Sequence, residues 1–187
     1  MLNRTLLSVL LMSLLALTGC QSTGSPLSGT KAEIDRGADR ALNDLYASTP
    51  AARALAAKAK GILVFPTILK AGFIGGAQYG GGGALRKNGK TVAYYNTVAG
   101  SYGLQAGIQK FGYALFFMTD DSLKYLDKSG GFEVGVGPSI VLVDEGMGRS
   151  LTTSTLQDSI YGFIFDQKGL MAGLGLQGSK ITRIYPD

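Results

Sequence analysis

Six glycines fall within residues 73–85, four of them consecutive at 80–83. Few positions there can pack a large side chain. Glycine at that density in a β-like region implies a backbone that is approached closely, strongly coiled, or turned at a barrel corner. The run at 80–83 also lacks the Lys-Ser/Thr ending of a phosphate-cradling loop. Just before it, 62–65 is a short, wholly apolar run that reads as a buried strand. Just after it, Asn88-Gly89 sits between two apolar segments, which is a strong hairpin signal.

Strands are expected at 92–98, 102–108 and 113–118. In the second of these, Tyr102, Leu104, Ala106 and Ile108 alternate with Gly103, Gln105, Gly107 and Gln109, giving an apolar face and a small or polar face. Thr119-Asp120-Asp121-Ser122 is placed to cap a short helix through Leu126, ended by Ser129-Gly130-Gly131. Further strands read at 132–136, 139–143 and 151–156. A last hairpin pairs 160–165 with 170–176 across Asp166-Gln167-Lys168-Gly169. At the other end of the chain, Ile34, Ala38, Ala41, Leu42, Leu45 and Tyr46 recur at helical spacing within the alanine-rich segment 31–60, which reads as two helices. Thr49-Pro50 supplies a capping residue and a first-turn proline, while Lys58, Lys60 and Gly61 suit the end of the second helix. The expected class is α+β, with N-terminal helices packed on a strongly coiled, mostly antiparallel sheet or barrel-like core.

The N-terminus carries a different message. Asn3 and Arg4 precede an apolar stretch from Leu6 to Leu17, shorter than the roughly 20 residues that span a bilayer, and Leu17-Thr18-Gly19 leads into the chain's one cysteine, Cys20. Leu-Thr-Gly-Cys resembles the lipobox of bacterial lipoproteins, in which the thiol receives a diacylglyceryl group and becomes the first mature residue. Residues 1–19 are then a signal peptide, and 20–30, rich in Ser, Thr, Gly and Pro, form a flexible lipidated tether. The body, 31–187, is a single domain. Gln21 after the cysteine, in place of Asp, favours the outer membrane facing the periplasm, with exposure at the cell surface as the alternative.

Composition narrows the chemistry. With no His, no Trp and its single Cys committed to lipid, the chain lacks the parts for Ser-His-Asp triads, Cys-His dyads, zinc sites and structural disulfides. The carboxylate pairs Asp120-Asp121 and Asp144-Glu145 suit a helix cap and a solvated turn better than acid/base work. No enzyme, metal or cofactor is therefore expected. Gly173-Leu174-Gly175-Leu176-Gln177-Gly178 matches G-x-G-x-x-G but lacks a following helix and an acidic residue about 20 positions on, because only nine residues remain. The net charge of +5, with Arg4 as the only charge in the signal segment, suits attraction to an anionic membrane surface as well as simple solubility. No arginine-rich run points to nucleic acid.

Three blocks, AKGILVFPTILKAGFIGGAQYGGGGAL from Ala59, SYGLQAGIQKFGYALFFMTDDSLKYL from Ser101 and IYGFIFDQKGLMAGLGLQGSKITRI from Ile160, strongly resemble the SYLF-domain family. Gln78 departs from it, standing where members often carry an acidic residue before the Tyr-Gly pair. The resemblance implies lipid and protein binding without catalysis, since eukaryotic relatives bind phosphoinositide-containing membranes and some bind actin. For a lipidated bacterial chain the transferable expectation is recognition of anionic phospholipid surfaces, with an envelope protein partner as the alternative. The candidate headgroup contacts are Lys58, Lys60, Lys70, Lys110, Lys168, Lys180 and Arg183. Lys70 follows Ile68-Leu69 in an expected loop that could dip into the interface, whereas Lys58 and Lys60 equally suit a helix end and Lys168 a solvated turn. Tyr79, Tyr94, Tyr95, Tyr102 and Phe73 could line a pocket in the sheet or fill its core.

Overall fold

The computed structural model of the protein describes residues 29–72, 75–102, 107–128, 132–133, 140–143, 158–169 and 179–187. Cys20 and the signal segment, nearly all of the tether, Phe73, Asp144-Glu145, the expected strand at 151–156 and the segment 170–178 lie outside them.

Two helices lead. Helix α1 (Lys31–Ser48) starts at a capping box, in which Thr30 Oγ1 accepts from the Glu33 amide and Glu33 Oε2 accepts from the Thr30 amide at 2.8 Å. The Thr30 amide first, and then the Thr30 hydroxyl, which donates to Glu33 Oε2 at 3.0 Å, hold the Glu33 carboxyl below its ordinary pKa. Its buried stripe is Ile34, Ala38, Ala41, Leu42 and Leu45. Helix α2 (Pro50–Ala56) begins at the expected proline, but Thr49 makes no side-chain cap, and its amide instead closes α1 on the Leu45 carbonyl. Gly61 opens a strand and does not close the helix; Lys60 already donates its amide to the Phe117 carbonyl.

The sheet has eight strands among the described residues: β1 (Gly61–Gly72), β2 (Gly75–Lys87), β3 (Lys90–Tyr102), β4 (Gly107–Phe117), β5 (Phe132–Glu133), β6 (Ile140–Leu142), β7 (Ile160–Gly169) and β8 (Ser179–Ile184). Their order is β5-β8-β3-β2-β1-β4-β7-β6, antiparallel except for the parallel pair β6/β7. The sheet curls strongly into a half-barrel. The Asn88-Gly89 turn joins β2 to β3 with both residues at positive φ, as a two-residue hairpin requires.

Of the expected strand at 102–108, residues 103–106 lie outside the described residues, while Tyr102 ends β3 and Gly107 starts β4. Two expectations are corrected. Asp166 to Gly169 is not a hairpin turn but the end of β7, still paired with β4. Lys70 is not in a loop but in β1.

Each face of the sheet has its own core. The outer face carries α1 and α2 over Ile62, Val64, Ala84, Ala114, Phe116, Tyr161 and Phe163, with Phe116 and Phe163 edge to face at 5.0 Å between centroids. Arg86 pins α1 from the sheet by pairing with Asp39, while Thr91 and Tyr94 donate to Asp35 at 2.7 and 3.1 Å. The inner face is filled by Leu63, Phe65, Ile68, Tyr95, Phe111, Tyr113, Leu115 and Phe117, and helix α3 (Asp120–Tyr125), capped by Thr119 as expected, closes one end with Leu123.

Two inner-face tyrosines make opposite predictions. Tyr95 donates to Asp127 at 2.6 Å, whereas the buried Tyr113 hydroxyl finds no partner among the described residues. Removing an unsatisfied buried group relieves its desolvation cost, and removing a satisfied one forfeits a bond to a charge. Tyr113→Phe is therefore expected to stabilise by about 1 kcal/mol and Tyr95→Phe to destabilise by about 2 kcal/mol, read as melting shifts of opposite sign. Burial, joined at Tyr95 by the Asp127 bond, pushes both hydroxyls above the ordinary tyrosine pKa of 10.0. A raised acid contributes stability below its unfolded pKa and loses it as pH climbs above that value.

Candidate functional site

Strand parity decides which lysines reach solvent. From Ile62 to Phe65, even-numbered residues of β1 face outward and odd-numbered ones inward. Between Phe65 and Ile68 the ladder to β4 carries one extra residue on β1, and Pro66, which has no amide to donate, sits in that bulge. Parity reverses beyond it. Ile68 and Lys70 turn inward, and Leu69 turns outward to 50 % exposure.

A second bulge in β2 between Gly80 and Gly83 keeps β2 in step, so one rung runs across six strands as Lys168, Lys110, Leu69, Tyr79, Val98 and Lys180, and continues to Glu133 of β5, the register partner of Lys180. Directly opposed residues share a face, so these six side chains form one outer row, about 24 Å wide at the usual strand spacing. Val98 is 50 % exposed, and Ile108, two residues before Lys110 on the same face, is 64 % exposed. The outcome is an apolar strip on the outer face, beyond the part of the sheet that α1 covers, with Lys110 and Lys168 at one edge and Lys180 at the other. Lys168 also holds Asp166 at 2.9 Å.

The other candidates are elsewhere. Lys70 is wholly buried on the inner face between Gln109 and Gln78, in a polar band with Thr97 and Ser179. Burial lowers its pKa from the ordinary lysine value. As it stands, its ammonium cannot touch a membrane. Gln109 Nε2 reaches Gln167 at 3.4 Å, and Gln109 Oε1 has no partner among the described residues. Arg183 points to the inner side of β8, pairs with Asp127 at 3.5 Å and lies over Tyr185 at 5.7 Å. Lys58 and Lys60 are exposed between α2 and β1, at the far end of that strand. The seven cations are thus not one patch; only Lys110, Lys168 and Lys180 share a row.

Residues 98–184 match the Ysc84 family model, described as Las17-binding protein actin regulator. Over residues 98–184 the chain is thus similar to the Ysc84 (SYLF) family. No curated protein matches the chain. The Ysc84 match begins at Val98 and takes in Ile108, Lys110, Lys168, Lys180 and Arg183, while β1 and β2, which complete the same sheet and the same outer row, precede it. Sequence reading missed Val98 and Ile108 as surface residues, because apolar residues in a strand signal a core, and it set Leu69 in an interfacial loop where the structure exposes it on β1. Of the aromatics proposed for a pocket, Tyr95 is core, Tyr94 packs against the outer core and Tyr79 lies in the outer row.

Proposed function

We propose that this protein is a non-enzymatic lipoprotein of the outer membrane, held by Cys20 and facing the periplasm, whose Ysc84-like domain lays its outer row on an anionic phospholipid surface. The observation that carries the reading is the apolar strip of Leu69, Val98 and Ile108 flanked by Lys110, Lys168 and Lys180. Apolar side chains that enter the interface while lysines meet phosphates at its edge are the two halves of an interfacial binding surface. Phosphoinositide-like headgroups fit as one anionic source among several, because the row supplies positive charge that any anionic headgroup can meet.

Protein lacking residues 1–20 is expected to sediment with phosphatidylglycerol-containing vesicles, to leave pure phosphatidylcholine vesicles largely unbound, and to be released as salt approaches 0.5 M, where the screening length shrinks to about 4 Å. Equal binding to both vesicle types sinks the proposal.

A second reading follows from the family description, which names a protein partner. An envelope protein would then occupy the same strip. Crosslinking in whole cells separates the two, since a stoichiometric protein adduct at Leu69 or Ile108 favours the partner and lipid adducts alone favour the membrane.

A further inference from the structure

At the opposite end of β2 and β3 from the outer row, a groove of about 800 Å³ opens between the Asn88-Gly89 hairpin, α3 and β8. That volume is in the range of pockets that take small organic ligands. Its floor is apolar, with Leu85, Ala93 and Leu123 from the edge of the inner core. Val92 joins them through a bulge: Leu85 pairs with Ala93 and Arg86 with Thr91, so Val92 has no residue opposite it and is left 48 % exposed. Bulges of this kind re-aim a side chain, often beside a functional site.

The rim has the opposite character. Lys87 and Lys90 face each other across the last rung of the hairpin, and like charges directly opposed on a ladder destabilise it. Neither makes an ion pair among the described residues. Lys124 and Arg183 add two more cations from separate elements, each already paired at 3.5 Å, with Asp121 and Asp127 respectively. Of the two carboxylates in the lining, Asp120 and Asp127, the latter is engaged by the Tyr95 hydroxyl at 2.6 Å and by Arg183 at 3.5 Å. An anion between Lys87 and Lys90 would remove their mutual repulsion. An alkyl chain would cover the floor. A small inorganic anion leaves the floor wet, and a neutral hydrocarbon leaves the lysines opposed.

We propose that this groove binds a single-chain amphiphile with an anionic head, a long-chain carboxylate, with its chain on Leu85, Val92, Ala93 and Leu123 and its carboxylate between Lys87 and Lys90. The site is separate from the outer row, so it stands or falls independently of the membrane reading.

The test uses the full lipidated chain in phosphatidylcholine vesicles and dodecanoate bearing a diazirine, with adducts located by mass spectrometry. Adducts are expected within 85–93 and 123–127, competed by unlabelled dodecanoate and much less by dodecanol or inorganic phosphate. Lys87→Gln/Lys90→Gln, both at exposed turn positions, is expected to cut the yield at least fivefold. Val92→Asp, which keeps both lysines and puts a carboxylate on the floor, is expected to do the same. Binding to anionic vesicles should not change in either variant. Adducts only elsewhere, an undiminished yield in both variants, competition by dodecanol equal to that by dodecanoate, competition by phosphate equal to it, or a parallel loss of vesicle binding would each overturn the assignment.

Discussion

Gly83→Ala is expected to destabilise the domain by about 3 kcal/mol, the upper end of what overpacking a well-filled core costs. A Cβ at Gly83 would lie 2.4 Å from Cε1 of Phe65 and 2.6 Å from its Cδ1. Phe65 has no exposed surface and packs in the inner cluster with Leu63, Ile68 and Tyr95, so its ring has no open space to swing into. A loss of that size lowers the melting temperature of a domain of this length by roughly 6–12 °C. Gly100 is the internal control, because nothing lies within 4 Å of its Cβ position and its φ is unexceptional. Gly100→Ala is expected to stabilise slightly, by about 0.5 kcal/mol, through a less flexible unfolded chain. The mechanism has its own signature in a double-mutant cycle. Phe65→Leu alone should destabilise, yet in the Gly83→Ala background it should recover stability, and additive losses would show that the clash with the ring is not the cause.

That contact explains why the glycine run was informative and also where sequence reading stopped. The run at 80–83 marks a coiled strand because β2 is squeezed from both sides: Gly83 and Gly80 face Phe65, Ile68 and Thr97 inside the curl, and a Cβ on Gly82 would lie 3.0 Å from Ile34 of α1 outside it. The α1 stripe, the Thr49-Pro50 break and the Asn88-Gly89 hairpin were legible because each rests on residues a few positions apart. The orientation of Lys70 was not. It depends on one extra residue at Pro66-Thr67, and a shift of one residue sends every later side chain to the other face. The same shift turned Leu69 outward on β1, so its sharing a face with Val98 and Ile108 could not be read from its own residues. Lys168 was misplaced for a related reason. Asp166-Gln167-Lys168-Gly169 has turn composition, but Asp166 adopts a positive φ within a bulge, and the strand continues past it to set Lys168 beside Lys110.

The pairing of Lys110 with Lys168 gives the sharpest functional expectation. Each lysine near an anionic bilayer contributes about 1 kcal/mol, so Lys110→Gln/Lys168→Gln should remove about 2 kcal/mol of membrane affinity, roughly a thirtyfold loss in partition onto phosphatidylglycerol vesicles. The loss should be somewhat larger than two independent charges imply, because the carboxylate of Asp166, now held by Lys168 at 2.9 Å, would face the surface unpaired. Both positions are exposed, so the melting temperature should stay close to that of the parent. Ile108→Ser tests the apolar half separately: it should weaken binding at every salt concentration, whereas the lysine variant should differ from the parent mainly at low salt. Lys58→Gln/Lys60→Gln removes the same charge at the other end of β1 and should change partition less than twofold. An equal loss in that variant would mean that net charge, rather than the row formed by six strands in register, draws the domain to the membrane.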